Sequence, residues 1–142
     1  MGVPEPIEVV RRWVEAWNAR DPEAVRDLAA PDFVRHDANL PDVVGPEAER
    51  QFVAAVTAAF PDLHFTVQHA VAEGALVADH LTGRGTHQGE FLGVPATGRA
   101  VQVRTMETYR IAGGRVAEQW VLTDVLGLLQ QIGAVPRLGT GA

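Results

Sequence analysis

Acidic side chains that could carry protons stand out in the last third of the chain. Asp124 follows the apolar residues Trp120, Val121 and Leu122 and precedes a second apolar run, Val125 to Leu129. A carboxyl group in apolar surroundings loses hydration, which raises its pKa toward neutrality and suits it to general acid or base catalysis. An Asp directly before an apolar helical run is also a common helix N-cap. The residues alone therefore leave two roles open for Asp124, a cap or a catalyst.

Glu107 is a second acid whose place in the pattern is unusual. It alternates with Val101, Val103, Thr105 and Tyr109 on one face of an expected strand. If that face is buried, Glu107 needs a partner or a raised pKa, so it is a candidate site residue. The alternative is an edge position in which this acid pairs with an arginine.

Histidines add further candidate proton carriers, because an imidazole titrates near neutral pH. His36 lies in the run Phe33 to Asp37 and is either a proton carrier or a surface or capping histidine. The histidines form no His-x-x-x-His helical pair with an acid, so the pattern gives no support for a metal site. The sequence also lacks a phosphate-binding glycine loop and a Gly-x-Ser-x-Gly turn. What remains is acid–base chemistry by Asp, Glu and His.

Helices are expected before most of the strands. Apolar residues spaced by three and four predict a helix from Pro4 to Arg20, and Asp21 followed by proline begins a short second helix. A third helix is predicted from Pro46 to Phe60. Trp13 and Trp17 lie one turn apart on the first helix and are assigned to the core, although an aromatic ring beside a cavity can also touch a ligand.

The remaining elements are predicted to be strands joined in hairpins, with a short C-terminal helix. The segment from Asp32 to Asp37 is either a strand or an extended loop. Two hairpins follow, and the second turns at Gly113-Gly114, where glycine supplies the positive φ of a tight turn. The glycine-rich segment Gln88 to Gly98 is expected to be a loop over a pocket mouth or edge. Helices segregated from an antiparallel sheet indicate an α+β fold. The expected strands are Leu63 to Glu73, Leu76 to Thr86, Ala100 to Ile111, and the strand that ends at Thr123.

Composition narrows the classes of function. The chain has 142 residues, of which 46% are hydrophobic, and we expect one domain over residues 1–136 with a loose tail at 137–142. A net charge of −6 gives no basic surface for nucleic acid or an anionic membrane. Without cysteine, a signal-peptide pattern or ~20 consecutive apolar residues, the expected location is the cytoplasm.

Separate phrases of the sequence carry a family resemblance. In chain order they are FVRHD from Phe33, AAFPDLHFTV from Ala58, GTHQGEFLGVPATGR from Gly85 and EQWVLTDVLGLLQQIGAVP from Glu118. From about Pro6 to Pro136, these phrases resemble the SnoaL-like polyketide cyclases, also called ester cyclases, of the nuclear transport factor 2 superfamily. The resemblance implies an α+β fold in which a cone-shaped, curved, mostly antiparallel sheet wraps around N-terminal helices. It also implies a homodimer.

The resemblance implies a reaction and a set of site residues. Characterised members close a ring of an aromatic polyketide methyl ester by intramolecular aldol condensation, without metal or cofactor. Asp124 occupies the place of their general acid/base, in the phrase formed with Glu118 and Trp120, and this favours catalyst over cap. Many relatives carry His where Gln119 stands. The expected ligand is an apolar or aromatic carbonyl compound. The predicted catalytic residues are Asp124, His36 and His87, and the predicted substrate-binding residues are Glu107, Gln119, Trp120, Phe33 and Trp17.

Two alternatives stay open beside the cyclase. Gln119 in place of the family histidine would suit a protein that binds a small molecule without transforming it. An isomerase or epoxide hydrolase would need an acid pair, which Asp124 and Glu107 could form if both face the cavity. Alternation predicts that Trp120, Leu122 and Asp124 share one face of the last strand. Val121 and Met106 would then lie on an outer face, which two copies would cover in a homodimer.

Overall fold

Four helices and six strands make up the part of the chain that this computed structural model describes, residues 2–137 and residue 139. The helices are Pro6–Asn18 (α1), Pro22–Leu28 (α2), Pro46–Ala59 (α3) and Val125–Gln131 (α4). The strands are Ala29–Asp37 (β1), Val43–Val44 (β2), His64–Glu73 (β3), Leu76–Thr86 (β4), Ala100–Ala112 (β5) and Arg115–Thr123 (β6).

The strands form one curved, unclosed sheet in the order β2-β1-β6-β5-β4-β3. Strands β1 and β6 run parallel and the other neighbours run antiparallel, so the sheet is mixed. The predicted α+β class and curved sheet are confirmed. The segment that the sequence left open between strand and loop is the end of β1, and its parallel pairing with β6 accounts for the mixed character.

Helix α1 covers the concave face of the sheet. It begins with Pro6 at its first turn, a position that needs no backbone donor. Its apolar stripe packs on aromatic residues of the sheet, with Trp13 against Phe33 at 5.6 Å and Trp17 edge-on to Phe65 at 5.7 Å between ring centroids. This packing fixes the distance between the helix layer and the sheet, and therefore the width of the space between them.

The hairpin between β5 and β6 decides which residues face that space. Gly113 and Gly114 form the turn with φ of 58° and 76°, as predicted. A regular ladder from this turn would place Trp120 opposite Glu107. The register instead shifts by one residue after the first pairs, so that Val121 lies opposite Glu107. A bulge of this kind moves every later side chain to the other face.

The predicted facing of β6 was therefore wrong. Val121 is buried and lines the interior, whereas Trp120 and Leu122 are 39% and 58% exposed on the outer face. Met106 on β5 is outward, as predicted, and is 53% exposed.

The predicted loose tail, residues 137–142, lies largely outside the described residues. Within the described residues, no helix has the length and apolar character needed to cross a membrane.

Candidate active site

A cavity of about 130 Å³ lies between the concave face of the sheet and helices α1, α3 and α4. Most of its wall is apolar, with valine and leucine side chains from the strands and rings from the helices and loops. Such a space can remove a flat apolar ligand from water and orient it by ring contacts. The aromatic residues of the wall are Trp13, Trp17, Phe52, Phe60, Phe65, Phe91 and Tyr109.

A polar cluster forms part of the cavity wall, and Glu107 is at its centre. Its Oε1 atom accepts a hydrogen bond from the hydroxyl of Tyr109 at 2.8 Å, and its Oε2 atom accepts one from the amide nitrogen of Gln119. All three side chains line the cavity. Burial raises the pKa of Glu107, while its hydrogen bonds act in the opposite direction. The result is a carboxyl group that is held on both oxygens and faces an apolar space.

Asp79 stands behind this cluster. Strand pairing places it directly opposite Glu107, and the hydroxyl of Tyr109 lies 3.1 Å from its Oδ2 atom. Burial and the nearby charge of Glu107 raise the pKa of Asp79 to about 9. The same surroundings keep the pKa of Tyr109 well above its ordinary value. Both shifts favour the protonated forms of Asp79 and Tyr109.

A second polar group lies where β1 meets α3. Arg35 forms an ion pair with Asp37 at 3.2 Å, and its guanidinium lies 4.1 Å from the ring centroid of Phe52. Glu49 is fully buried, and neither of its carboxyl oxygens has a hydrogen-bond partner among the described residues. Burial raises the pKa of Glu49 to about 8, with Arg35 acting against this rise and Glu107 adding to it. The charge of Arg35 thus acts on Glu49 and on Glu107.

Asp124 caps a helix rather than facing the cavity. Its Oδ1 atom accepts a hydrogen bond from the backbone N–H of Gly127 at 2.9 Å, at the N-terminus of α4. Asp124 is exposed and is not among the residues that line the cavity. The predicted acid pair with Glu107 is therefore not formed, because only Glu107 faces inward.

His36 and Trp120 also lie away from the cavity, on the outer face of the sheet. The two rings stack at 5.7 Å between centroids. His36 contacts Glu118 at 2.7 Å and Asp42 at 3.1 Å. The hydrogen bond to Glu118 raises the pKa of His36, with a further contribution from Asp42. These contacts describe a surface ion pair, not a contact with an enclosed ligand.

His87 and Phe33 are buried but do not line the cavity. The Nδ1 atom of His87 lies 2.9 Å from the hydroxyl of Thr97 and accepts the Thr97 N–H at 3.3 Å. These bonds tie the predicted loop, residues 88–98, to the end of β4. The ring of His87 also packs on Phe60, with 5.5 Å between ring centroids. The position therefore supports a structural role in holding the loop.

Trp17, Glu107 and Gln119 line the cavity, and sequence reasoning missed several of their neighbours. A signal for Tyr109 was present, because it shares the alternation that turned Glu107 inward. Asp79 lies opposite Glu107 in the pairing of β4 with β5, so the register of these two strands identifies it. The missed residues are Tyr109, Asp79, Arg35, Asp37 and Glu49.

The fold is a curved mixed sheet with helices around a mostly apolar cavity that has acidic side chains in its wall. This arrangement is typical of a protein that binds a small molecule. The family model described as SnoaL-like polyketide cyclase matches residues 7–132. The chain belongs to this family, which confirms the resemblance carried by its sequence phrases.

Individual relatives are similar to this chain over nearly its whole length. The aklanonic acid methyl ester cyclase DnrD of Streptomyces peucetius is 32% identical over 133 residues, which cover 89% of this chain and 90% of DnrD. The crystal structure of AclR from Streptomyces galilaeus has a TM-score of 0.83 and 31% identity, over 95% of this chain and 100% of AclR. That of IdmH from Streptomyces antibioticus has a TM-score of 0.79 and 36% identity, over 92% of this chain and 99% of IdmH.

Proposed function

We propose that the protein is a polyketide cyclase that closes a ring by intramolecular aldol addition and that Glu107 is its general base. The observation that carries this assignment is the position of Glu107, a carboxyl group held on both oxygens in the wall of a mostly apolar cavity. The family and the relative DnrD, named as a methyl ester cyclase, support an aromatic polyketide ester as the substrate class.

The proposed reaction needs one group that takes up and returns a proton. The Glu107 carboxylate removes a proton from a carbon between two carbonyl groups, and the C–H electron pair is delocalised into the enolate. This carbon then bonds to a ketone carbon of the same molecule, and the π pair of that ketone moves to its oxygen. The new alkoxide takes the proton from Glu107, which returns to its starting state.

Gln119 has a defined place in this scheme although it replaces the histidine of many relatives. Its amide N–H donates to Oε2 of Glu107, and the hydroxyl of Tyr109 donates to Oε1. Two donors stabilise the carboxylate and fix its orientation, which supports catalysis by a positioned base. The aromatic residues of the wall, among them Trp17, would hold a flat ligand inside the cavity that Glu107 also lines.

Two carboxyl groups with different positions provide a matched test. Glu107→Gln should lower turnover by ~10²–10⁴, the usual contribution of a general base, while the amide keeps the size of the side chain. Asp124→Asn should retain activity, because Asn is an equally good helix cap. Both variants would be assayed with an anthraquinone-type β-keto methyl ester. Cyclisation is an isomerisation, so product is followed by chromatography and ultraviolet absorption rather than by mass.

Proton abstraction can be measured separately from ring closure. In D₂O, wild-type protein should speed incorporation of deuterium at the carbon between the carbonyl groups, and Glu107→Gln should not. If Asp124→Asn loses turnover and Glu107→Gln keeps it, the base has been assigned to the wrong carboxyl group. If the wild-type protein retains the ester but catalyses neither exchange nor closure, it binds the ligand without transforming it.

We also propose that the protein is a homodimer formed through the outer face of the sheet. Met106, Trp120 and Leu122 are exposed together on neighbouring strands β5 and β6, where Met106 and Leu122 are directly paired. A contiguous exposed apolar patch of this kind favours association, and a two-fold axis lets one face cover its own copy. Val121, which the sequence placed on this face, belongs to the cavity wall instead.

A further inference from the structure

Asp79 is a buried acid that the proposed reaction does not use. It is 4% exposed and does not line the cavity. Its Oδ1 atom has no hydrogen-bond partner among the described residues. An ionised Asp79 would bury a charge that lies beside a second carboxyl group and for which the ion pairs of the described residues supply no cation, which is strongly unfavourable.

The hydroxyl of Tyr109 allows the protons on these acids to be counted. It lies 3.1 Å from Oδ2 of Asp79 and 2.8 Å from Oε1 of Glu107. A phenol hydroxyl carries one proton and donates one hydrogen bond. With two carboxylates, one contact would press a lone pair of the tyrosine oxygen against an anionic oxygen. Both contacts are hydrogen bonds only when one carboxyl group carries a proton and donates it to the tyrosine oxygen.

Geometry identifies Asp79 as the protonated member. Glu107 accepts hydrogen bonds on both of its oxygens, because Gln119 donates to the oxygen that Tyr109 does not reach. Asp79 is less exposed to solvent than Glu107, which lines the cavity, and Asp79 needs a single acceptor for its proton. The hydrogen-bond chain therefore runs from Asp79 to Tyr109 and from Tyr109 to Glu107.

Other charged groups near these hydrogen bonds are consistent with a protonated Asp79. Burial raises the pKa of Glu107, and the charge of Arg35 on β1 acts against this rise, in favour of the ionised form. Burial, with a contribution from the charge of Glu107, raises the pKa of Glu49 on α3 to about 8, so its neutral form is favoured near pH 7. Asp37 on β1 is paired with Arg35. The charge of Arg35 thus acts on Glu107 and is not among the charges that act on Asp79, which favours Glu107 over Asp79 as the anion of the cluster.

We propose that Asp79 is a positioning residue that stays neutral and, through Tyr109, holds the Glu107 carboxylate ionised and oriented toward the cavity. The proposal rests on the proposed function of Glu107 as the base. A neutral donor chain stabilises the carboxylate without adding a second negative charge. An ionised Asp79 would instead repel the Glu107 charge and compete with it for the tyrosine proton.

The pH dependence of turnover gives a readout that a merely structural role would not move. In Asp79→Asn the amide N–H can donate to Tyr109 as the protonated acid does, so the acidic limb of kcat/KM should stay within about 0.3 pH units of wild type. If Asp79 is ionised in the wild type, removing its charge should lower the apparent pKa of this limb by about one unit or more. Tyr109→Phe removes the hydroxyl that links Asp79 to Glu107 and should raise the apparent pKa of the limb by about one unit.

Infrared difference spectroscopy of the full chain at pH 7 tests the same proposal without any substrate. A buried protonated carboxyl group has a C=O stretching band that is separate from carboxylate bands. Asp79→Asn should remove one such band, and Glu49→Gln, the control acid, should remove another. A spectrum of Asp79→Asn that keeps every protonated-carboxyl band overturns the proposal. Because this result does not depend on turnover, it stands even if the protein proves not to be a cyclase.

Discussion

Glu107 on β5 and Glu118 on β6 lie on paired strands, one facing the cavity and the other facing outward. Burial raises the pKa of Glu107. The hydrogen bond from His36 lowers the pKa of Glu118, and Arg110 adds to this effect. Burial therefore opposes the charged form of this side chain on the inner face of the sheet, whereas ionic partners favour it on the outer face.

The difference shows that a carboxyl group becomes a candidate base through what surrounds it. Glu118 has cationic partners and water, so its carboxylate is stabilised and weakly basic. Glu107 has two neutral hydrogen-bond donors, which stabilise its carboxylate. Burial raises its pKa, which would make the carboxylate basic enough to remove a proton. In the functions proposed above, the inner face would carry the chemistry and the outer face the association of two copies.

The largest effect is expected when charge is placed on the outer face, where the proposed dimer interface lies. Met106→Asp combined with Leu122→Asp should convert the proposed dimer to a monomer, because association would bury unpaired carboxylates. Light scattering at micromolar concentration should change from twice the 15.3 kDa of one chain to that mass. Leu126→Asp, at an exposed apolar position on α4, is the control and should leave the mass unchanged. A wild-type protein that already has the mass of one chain contradicts the dimer.

Much of the fold was predictable because local patterns and tertiary structure agree. The apolar spacing of α1 and α3 and the Gly113-Gly114 turn gave elements close to those observed. The parallel pairing of β1 with β6 was not predictable from local pattern, because it joins segments far apart in the chain. Only the assembled sheet shows that the short run before Asp37 is an interior strand.

The site was harder to predict because it depends on a bulge. Trp120, Val121 and Leu122 are all apolar, so their pattern fits either face of β6. A one-residue shift in the hairpin places Val121 inside and Trp120 outside. Glu107 could be assigned to the interior because its own strand alternates clearly. Asp124 follows the strand, where its side chain meets the first backbone N–H groups of α4 and forms a cap.

Glu49 offers a stability test of the inner face. Its folded pKa of about 8 lies above the ordinary value for Glu, so the native state keeps a proton that the unfolded chain loses as pH rises. This contribution is complete at acidic pH and is lost progressively until pH passes about 8. Between pH 6 and pH 8 the wild type should therefore lose about 2 kcal/mol of unfolding free energy that Glu49→Gln does not lose.

Denaturant unfolding at the two pH values measures this difference. Glu47→Gln, an exposed position on the same helix, is the matched control, and it should follow the wild type because the pKa of Glu47 is lowered by Arg50 rather than raised. Equal pH dependence in the wild type and Glu49→Gln would mean that Glu49 is ionised in the folded protein, in spite of its burial.

The smallest expected effect belongs to His36 on the outer face. Contacts with Glu118 and Asp42 raise its pKa, so its contribution to stability is present below the ordinary histidine pKa and is lost as pH rises through the raised value. His36→Gln should lower the thermal midpoint slightly at pH 6 and low salt, and the difference should vanish at pH 9. Added salt should also reduce it, because exposed ion pairs are screened. A difference that persists at pH 9 and in high salt would show that His36 acts by packing on Trp120, and the outer face would then stabilise the fold by burial, as the inner face does.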